Sequence, residues 1–471
     1  MSRVVFFTIQ STTAWWHYLA SRMEFAEAFV LSDLRDEGDH SLVDDFYRFM
    51  DRPDAAAIAL ARFGRDGCDD IILRCRTLRG VDRDLAMRMI GGMTQAIELA
   101  YDKLDPDLVV TFTIDRYVMD LLERIANRRG IDFLEMATSI IPGQVMLMRR
   151  GRPIRLHDPS SKDVDAAVEQ VCRDDFAPTY VRNLKRFSLA RFWYVFGYHA
   201  LRGVFFNVRR FLKRDRYNSH YLEALWWLKH RARPADVAVL RLIDHDWEKR
   251  LADVPREKRV FLGLQLFPEA SMDYWLESQA MIAHDDVVVR YCEVLGRAGY
   301  RIFIKDHPLQ FGFRQRALFQ RLSKLPAVTL VPYDVPANVL ISKCGVSVTF
   351  TGTIGFQAAV AGLCSVVSEP YYATEHEFVH IRDVGEIDEL AERLARWQPP
   401  GDLAATRRTI MQHLVSISIE GDYFGWRNFD AENAALRAQV EPLVRSLNLH
   451  LPRFMKLRES APAPTAAIGQ R

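Results

Sequence analysis

The chain opens on Val4-Val5-Phe6-Phe7-Thr8-Ile9, an apolar run too short for the core of a secretion signal and without a small-residue cleavage site. It predicts a first buried strand. A long, mostly helical and partly acidic stretch follows. Asp105-Pro106-Asp107 then introduces Leu108-Val109-Val110-Thr111-Phe112-Thr113, a proline-bounded run rich in β-branched residues. That run predicts a strand, and helical spacing from Tyr117 to Arg129 completes a β-α unit. Gly130 ends the helix and Ile131-Asp132-Phe133-Leu134 predicts the next strand. Alternation of this kind favours a mostly parallel sheet.

The same alternation returns after Lys258. Strands are expected over 259–264, 300–304, 328–331, 346–350 and 365–367, with helices over 287–297, 314–324, 337–342 and 354–361 between them. Five strands joined by helical crossovers predict a second Rossmann-like sheet. Helical spacing resumes from 386 to 397 and continues to Leu447. Between the two α/β regions, Arg182 to Arg233 is rich in Lys and Arg, with Asp215 and Glu223 its only acids. Phe192, Trp193, Tyr194, Phe196, Tyr198, Phe205, Phe206, Phe211, Trp226 and Trp227 recur through it at helical spacing, and Pro234 closes it. The expected division is 1–155 a Rossmann-like domain, 156–255 a helical basic and aromatic segment, 256–400 a second Rossmann-like domain, 401–458 C-terminal helices and 459–471 a disordered Ala/Pro-rich tail.

Composition narrows the function classes. A length of 471 residues suits two or three domains, and 49% hydrophobic with 26% charged residues is a globular profile. Lys+Arg number 63 against 61 Asp+Glu, so any basic function is local rather than global. No apolar run reaches the roughly 18 residues a membrane-spanning helix needs. Cys68, Cys75, Cys172, Cys292, Cys344 and Cys364 lack metal-ligand spacing and read as buried thiols, so a cytoplasmic compartment is expected.

Three loops carry candidate chemistry. Lys305-Asp306-His307-Pro308 follows a predicted strand, at the carboxyl edge where such sheets bind ligands. Lys305 and His307 there could donate to a phosphate, with Pro308 stiffening the loop; a strand-ending turn with a solvated lysine is the plain alternative. The junction Thr349 to Gln357 is rich in hydroxyls and glycine. Gly352 would let backbone N–H groups approach a ligand, and Thr351 or Thr353 would cap the next helix. No Gly-Lys-Ser/Thr is present, so ATP hydrolysis is unsupported. Gln265, Glu269 and Ser271, in Gln265-Leu266-Phe267-Pro268-Glu269-Ala270-Ser271, could reach a ligand between the domains or simply start a helix.

In their order and spacing these loops resemble the capsular polysaccharide biosynthesis family of bacterial GT-B glycosyltransferase-like proteins, which includes the capsule Kdo transferases. The matching residues are Gln265 with Pro268 to Ser271, Lys305 to Pro308, Thr351 to Ala358, and Pro370-Tyr371-Tyr372. The resemblance spans Val260 to Tyr372, and the first domain only in its β-α pattern. It implies a GT-B-like fold, two Rossmann-like domains facing a central cleft with the helical segment inserted between them. The second domain would take a nucleotide-activated sugar, with Lys305 and His307 on its phosphates and Thr351, Gly352 and Thr353 at the nucleotide. No other cofactor and no metal is expected, and the donor could be CMP-, UDP- or GDP-linked. Gln357 departs from the family, which has Glu there, and a neutral amide would hold ribose hydroxyls less strongly.

In that arrangement the first domain takes the acceptor and can supply a general base. Candidates are His17, Asp115 and Glu135. Asp115 would point into the cleft or cap the helix from Tyr117, and Trp15-Trp16 beside His17 would stack on a sugar or pack in the core. Arg209, Arg210, Lys213, Arg214 and Arg216 beside Phe205, Phe206 and Phe211 allow two readings. One is a helical hairpin packing its aromatics on the first domain, the other a surface resting on an anionic inner membrane near a lipid-linked acceptor. No nucleic-acid-binding signature accompanies the charge. The expected activity is sugar transfer from a nucleotide donor to a glycan or glycolipid hydroxyl in bacterial surface-polysaccharide synthesis. The alternatives are a polyol-phosphate transferase, a sugar-nucleotide epimerase, or a non-catalytic membrane-associated assembly protein.

Overall fold

The computed structural model describes residues 2–173, 176, 178, 187–266, 269–422 and 426–459. The Phe267-Pro268 pair, the start of the basic segment at 182–186 and the tail at 460–471 lie outside the described residues.

The first sheet is built around β1 (Arg3–Thr8), whose Val4, Val5, Phe6 and Phe7 are fully buried. A strand apolar on both faces needs cover on both, which parallel sheets obtain from their crossover helices. β2 (Glu27–Ser32) and β3 (His40–Ser41) lie to one side of β1, and β4 (Leu108–Phe112) and β5 (Asp132–Thr138) to the other. These five are parallel, in the order 3-2-1-4-5. β6 (Gln144–Arg149) is antiparallel to β5, β7 (Arg152–Pro153) pairs with β6, and β14 (Ser418–Glu420) adds antiparallel to the free side of β6. These short or antiparallel strands escaped the sequence pattern.

The second sheet consists of β8 (Arg259–Gly263), β9 (Arg301–Lys305), β10 (Val328–Leu330), β11 (Val346–Val348), β12 (Cys364–Val367) and β13 (Val379–His380). All pairs are parallel and the order is β10-β9-β8-β11-β12-β13, one strand more than the five expected. Numbered within the domain this is 3-2-1-4-5-6, a doubly wound Rossmann order that reverses between β8 and β11. The fold is therefore α/β with two Rossmann-like domains, the GT-B-like class. The C-terminal helices return to the first domain, since the Ala434–His450 helix buries Val440, Leu443, Val444 and Leu447 in its core.

The two domains are clamped by the turn Ser271–Trp275. Arg74 donates to the carbonyls of Asp273 (3.0 Å), Leu276 (2.8 Å) and Glu277 (3.1 Å), and Arg79 to Asp273 Oδ1 (3.1 Å). Tyr274 enters the first domain's core, and Trp275 lies over Gly151, where an added Cβ would fall 2.1 Å from Trp275 Cγ.

The basic segment forms the helices Leu189–Leu212 and Ser219–His230, capped by Ser188 and Asn218. One row of the long helix (Phe192, Val195, His199, Gly203, Phe206) is buried. Phe192 packs on Phe311 of the second domain, and Tyr217 packs on Tyr47 of the first, so the hairpin spans both. The reading of a hairpin that packs its aromatics inward is corrected for Trp193, Tyr194, Tyr198, Phe205 and Phe211. These are 48–69% exposed, because the helix is buried along a single row only.

Candidate functional site

Doubly wound sheets bind ligands at the carboxyl edge where the strand order switches, here between β8 and β11. Gln265 lies there, two residues beyond β8, and its carboxamide ties the loops together. It donates to Glu269 Oε2 (2.9 Å), Ser271 Oγ (3.0 Å) and Thr351 Oγ1, and it accepts from the Thr351 backbone N–H (3.0 Å). Thr351 and Ser271 hydroxyls are 2.8 Å apart. Thr351 and Ser271 are buried, so this network fixes the loop after β11 against the loop after β8.

β9 ends beside β8, with Lys305 in register with Gly263. Lys305 is only 6% exposed, and its ammonium reaches the Asp306 carbonyl at 3.3 Å. No carboxylate oxygen among the described residues lies at ion-pair distance from it. Burial pushes its pKa below the ordinary lysine value, against the weaker upward pull of Asp306 and Asp334. Asp306, also buried, accepts from the His307 backbone N–H (2.8 Å), Arg314 Nε (3.1 Å) and Tyr333 OH (3.2 Å). Arg314 also donates to the Gln265 carbonyl (2.6 Å). The carboxylate thereby orients the loop that presents His307.

His307 Nδ1 accepts from the Leu309 N–H at 3.2 Å, across Pro308, which opens the short turn Pro308–Gln310. The proton of the neutral ring therefore sits on Nε2, leaving a donor. Burial, then the Lys305, Arg314 and Arg191 charges, push the His307 pKa down to about 4, so the ring is neutral at pH 7. Gly352 is held by Tyr372, whose hydroxyl donates to its carbonyl at 2.6 Å, and a Cβ on Gly352 would fall 2.8 Å from Thr349 Oγ1. The expectation that Thr351 or Thr353 caps the following helix is corrected. Thr353 sits at the cap position with helical backbone and no side-chain bond, and Thr351 is turned into the Gln265 network. Gln357 is half-buried on that helix, Ile354–Val360.

Toward the first domain, the Glu269 carboxyl is raised above its ordinary value by burial, offset in part by bonds from Gln265 and Ser271 and by the Arg76 charge. Arg76 is buried and donates to the Asp115 carbonyl at 3.2 Å. Asp115 is gripped by Arg116, Nε to Oδ1 at 2.7 Å and Nη2 to Oδ2 at 3.2 Å. Burial raises its pKa, but Arg116 and Arg76 outweigh this and leave it below the usual value, which makes it a weak base. Nor does it cap the next helix, whose cap position is Arg116. A polar seam thus runs from Lys305 and His307 through Gln265, Glu269 and Arg76 to Asp115.

The other first-domain candidates lie elsewhere. His17 is 42% exposed with Nδ1 3.9 Å from Asp39. Trp15 and Trp16 are fully buried core residues, stacked on Phe112 (5.5 Å) and Phe6 (5.2 Å), so the sugar-stacking reading is corrected. Glu135 is fully buried and accepts from the Ile114 (2.7 Å) and Gly151 (3.1 Å) N–H groups. It holds two backbone segments rather than facing the seam. Sequence reasoning missed Arg76, Arg314 and Tyr333, which lie outside the motifs they support. Only Asp306, inside the motif, signalled a charge needing a partner.

No protein-family model and no curated protein matches the chain. Solved structures similar to it include two of Thermosulfurimonas dismutans KpsC, a beta Kdo 2,4 transferase and a beta Kdo 2,7 transferase. Both are 13% identical with a TM-score of 0.31, the first covering 66% of this chain and 79% of that one, the second 74% and 89%. The UDP-GlcNAc 2-epimerase of Methanocaldococcus jannaschii is 10% identical over 87% of this chain and 98% of its own, with a TM-score of 0.25. Those values carry no weight for function, and the fold assignment stands on the strand orders above.

Proposed function

We propose that the chain is a glycosyltransferase that moves a sugar from a nucleotide donor to a hydroxyl of a glycan or glycolipid in surface-polysaccharide synthesis. The observation that carries this reading is the buried Lys305 ammonium, without a carboxylate at ion-pair distance among the described residues, at the carboxyl edge of a Rossmann-order sheet. A buried, uncompensated cation is costly and is kept where an anion completes it. The donor phosphate would supply that anion.

In the transfer, the acceptor oxygen bonds to the anomeric carbon as the bond from that carbon to the phosphate oxygen breaks. Negative charge grows on the departing phosphate, where Lys305 and the His307 Nε2–H donate, and a preset donor of this kind is typically worth about a hundredfold or more in rate. The acceptor proton goes to Glu269, whose raised pKa makes it a better base than Asp115. Asp115 and Arg76 would set the charge balance on the acceptor side. His307→Ala tests the reading: transfer from a panel of CMP-, UDP- and GDP-sugars should fall at least about a hundredfold with the fold intact. Wild-type turnover by that variant would remove the assignment.

A further inference from the structure

The Leu189–Leu212 helix carries an uncovered apolar face that the proposed transfer does not use. Trp193, Tyr194, Tyr198, Leu201, Val204, Phe205, Val208, Phe211 and Leu212 are each 48–78% exposed. At about 100° per residue they fall within an arc of roughly 140°, opposite the buried row. Arg191, Arg202 and Arg209 border the arc on one side, and Lys213, Arg214 and Arg216 follow its C-terminal end. Asp215, one of the segment's two acids, is buried and accepts from Tyr47 OH at 2.7 Å. Glu223, the other, is half-buried on the second helix and lies close enough to Arg76 and Arg116 to act on their charges. The segment therefore shows an apolar strip bordered by cations along one side and at its C-terminal end, with no exposed acid of its own among the described residues. Arg209, Arg210 and Arg216 lie over Phe205 or Phe211 at 4.9–5.8 Å, charges held at the apolar boundary.

We propose that this helix docks flat on an anionic lipid bilayer, apolar strip in the acyl boundary and cations on the headgroups. The charge pattern selects this occupant: a cation-edged apolar strip of this length matches a negatively charged interface. No described helix is long and apolar enough to cross a membrane, which leaves an in-plane seat. The apolar surface continues at Val204 into a crevice of about 390 Å³ between the two helices and the Thr77–Val81 segment, bordered by Arg210 and Lys229. The buried row of the helix reaches the donor-side loop, with Phe192 on Phe311 and His199 on Phe313 (5.0 Å). Docking there would set the seam beside the bilayer, which deepens the proposed transfer by naming a lipid-linked acceptor and rests on that reading only for the acceptor.

Flotation of the full chain with vesicles tests it, independently of any activity. Phosphatidylcholine vesicles containing phosphatidylglycerol should carry the protein up the gradient. Phosphatidylcholine alone should bind at least about tenfold less, since each cation near an anionic surface favours binding about fivefold, and salt should weaken the binding. Leu201→Glu with Phe205→Glu, both exposed and so compatible with folding, should abolish flotation with unchanged circular dichroism and thermal midpoint. Trp193 fluorescence should shift to the blue on adding anionic vesicles, with the Trp193→Phe chain as the baseline. Wild-type protein that stays at the bottom with both vesicles, or a double variant that still floats, would overturn the proposal. So would a concentration-dependent dimer that the double substitution breaks while vesicles leave it intact, because the strip would then be a protein interface.

Discussion

Lys305→Met removes the charge at the centre of the proposed donor site while keeping the length of the side chain. Lys305 is 6% exposed and its ammonium bonds the Asp306 carbonyl at 3.3 Å, with no carboxylate at ion-pair distance among the described residues. Replacing buried charge by an apolar group of similar volume is often stabilising, by about 1–4 kcal/mol for pairs, and an ion without a counter-ion has less to lose. The variant should therefore be more stable than the wild type, by about 1–3 kcal/mol. For a cooperative unit of about 150–250 residues that is a rise in Tm of roughly 2–12 °C, read by differential scanning fluorimetry or circular dichroism. The sign with pH is definite. The folded-state pKa of Lys305 lies below its ordinary 10.5, so between the two values the unfolded chain holds a proton that the folded chain has released. Wild-type stability should thus gain on the variant as pH rises toward 10.5. A nucleotide at a hundred times its wild-type Kd should raise wild-type stability by about 2.7 kcal/mol and the variant by about 1.4 kcal/mol or less. A variant that melts below the wild type at pH 7 would refute the idea that this cation waits for a partner.

Other substitutions probe the remaining parts of the seam. His307→Gln should flatten the acid side of the stability curve. The folded ring titrates at about 4 against an ordinary 6.5, so the wild type loses stability as pH falls through that window, on the order of 3 kcal/mol, and the variant should not. An unchanged difference between pH 7 and pH 4 in urea melts would count against the buried neutral ring. Glu269→Gln should slow transfer by about a hundredfold or more and remove the acid limb of kcat/KM, which in the wild type falls as pH drops through the raised carboxyl pKa. Retention of both rate and limb would shift the base elsewhere. Gln265→Leu strips the acceptor from the Thr351 N–H and the donor shared by Glu269, Ser271 and Thr351. It should cost about 2–4 kcal/mol, and a loss below about 0.5 kcal/mol in thermal unfolding would show that the network is loose.

How much could be read from the chain itself follows from where the information sits. Central strands such as Val4 to Phe7 and Val260 to Leu262 are apolar on both faces, so their pattern announces them, and the crossover helices announce the parallel order. The two- and three-residue strands β3, β7, β13 and β14 carry no period, and β14 joins the first sheet from the far end of the chain. Loop chemistry was legible where one loop holds its own partners, as with Asp306 beneath His307. It was not legible where partners come from separate loops or from the other domain, as with Arg314 between Asp306 and the Gln265 carbonyl or Arg76 near Glu269. The tryptophan pair illustrates the opposite error, since aromatic side chains beside a candidate histidine look like a sugar platform until Phe6 and Phe112 are seen beneath them. The exposed stripe on the Leu189–Leu212 helix has helical spacing whichever way it faces, and only tertiary packing reveals that a single row is covered.

Isothermal titration of the wild type and of Lys305→Met with UDP, CMP and GDP addresses the donor site most directly. The account predicts one nucleotide bound at a single site by the wild type and at least about tenfold more weakly by the variant, equivalent to about 1.4 kcal/mol. Absence of binding by all three nucleotides, or equal affinity in the two proteins, would contradict it.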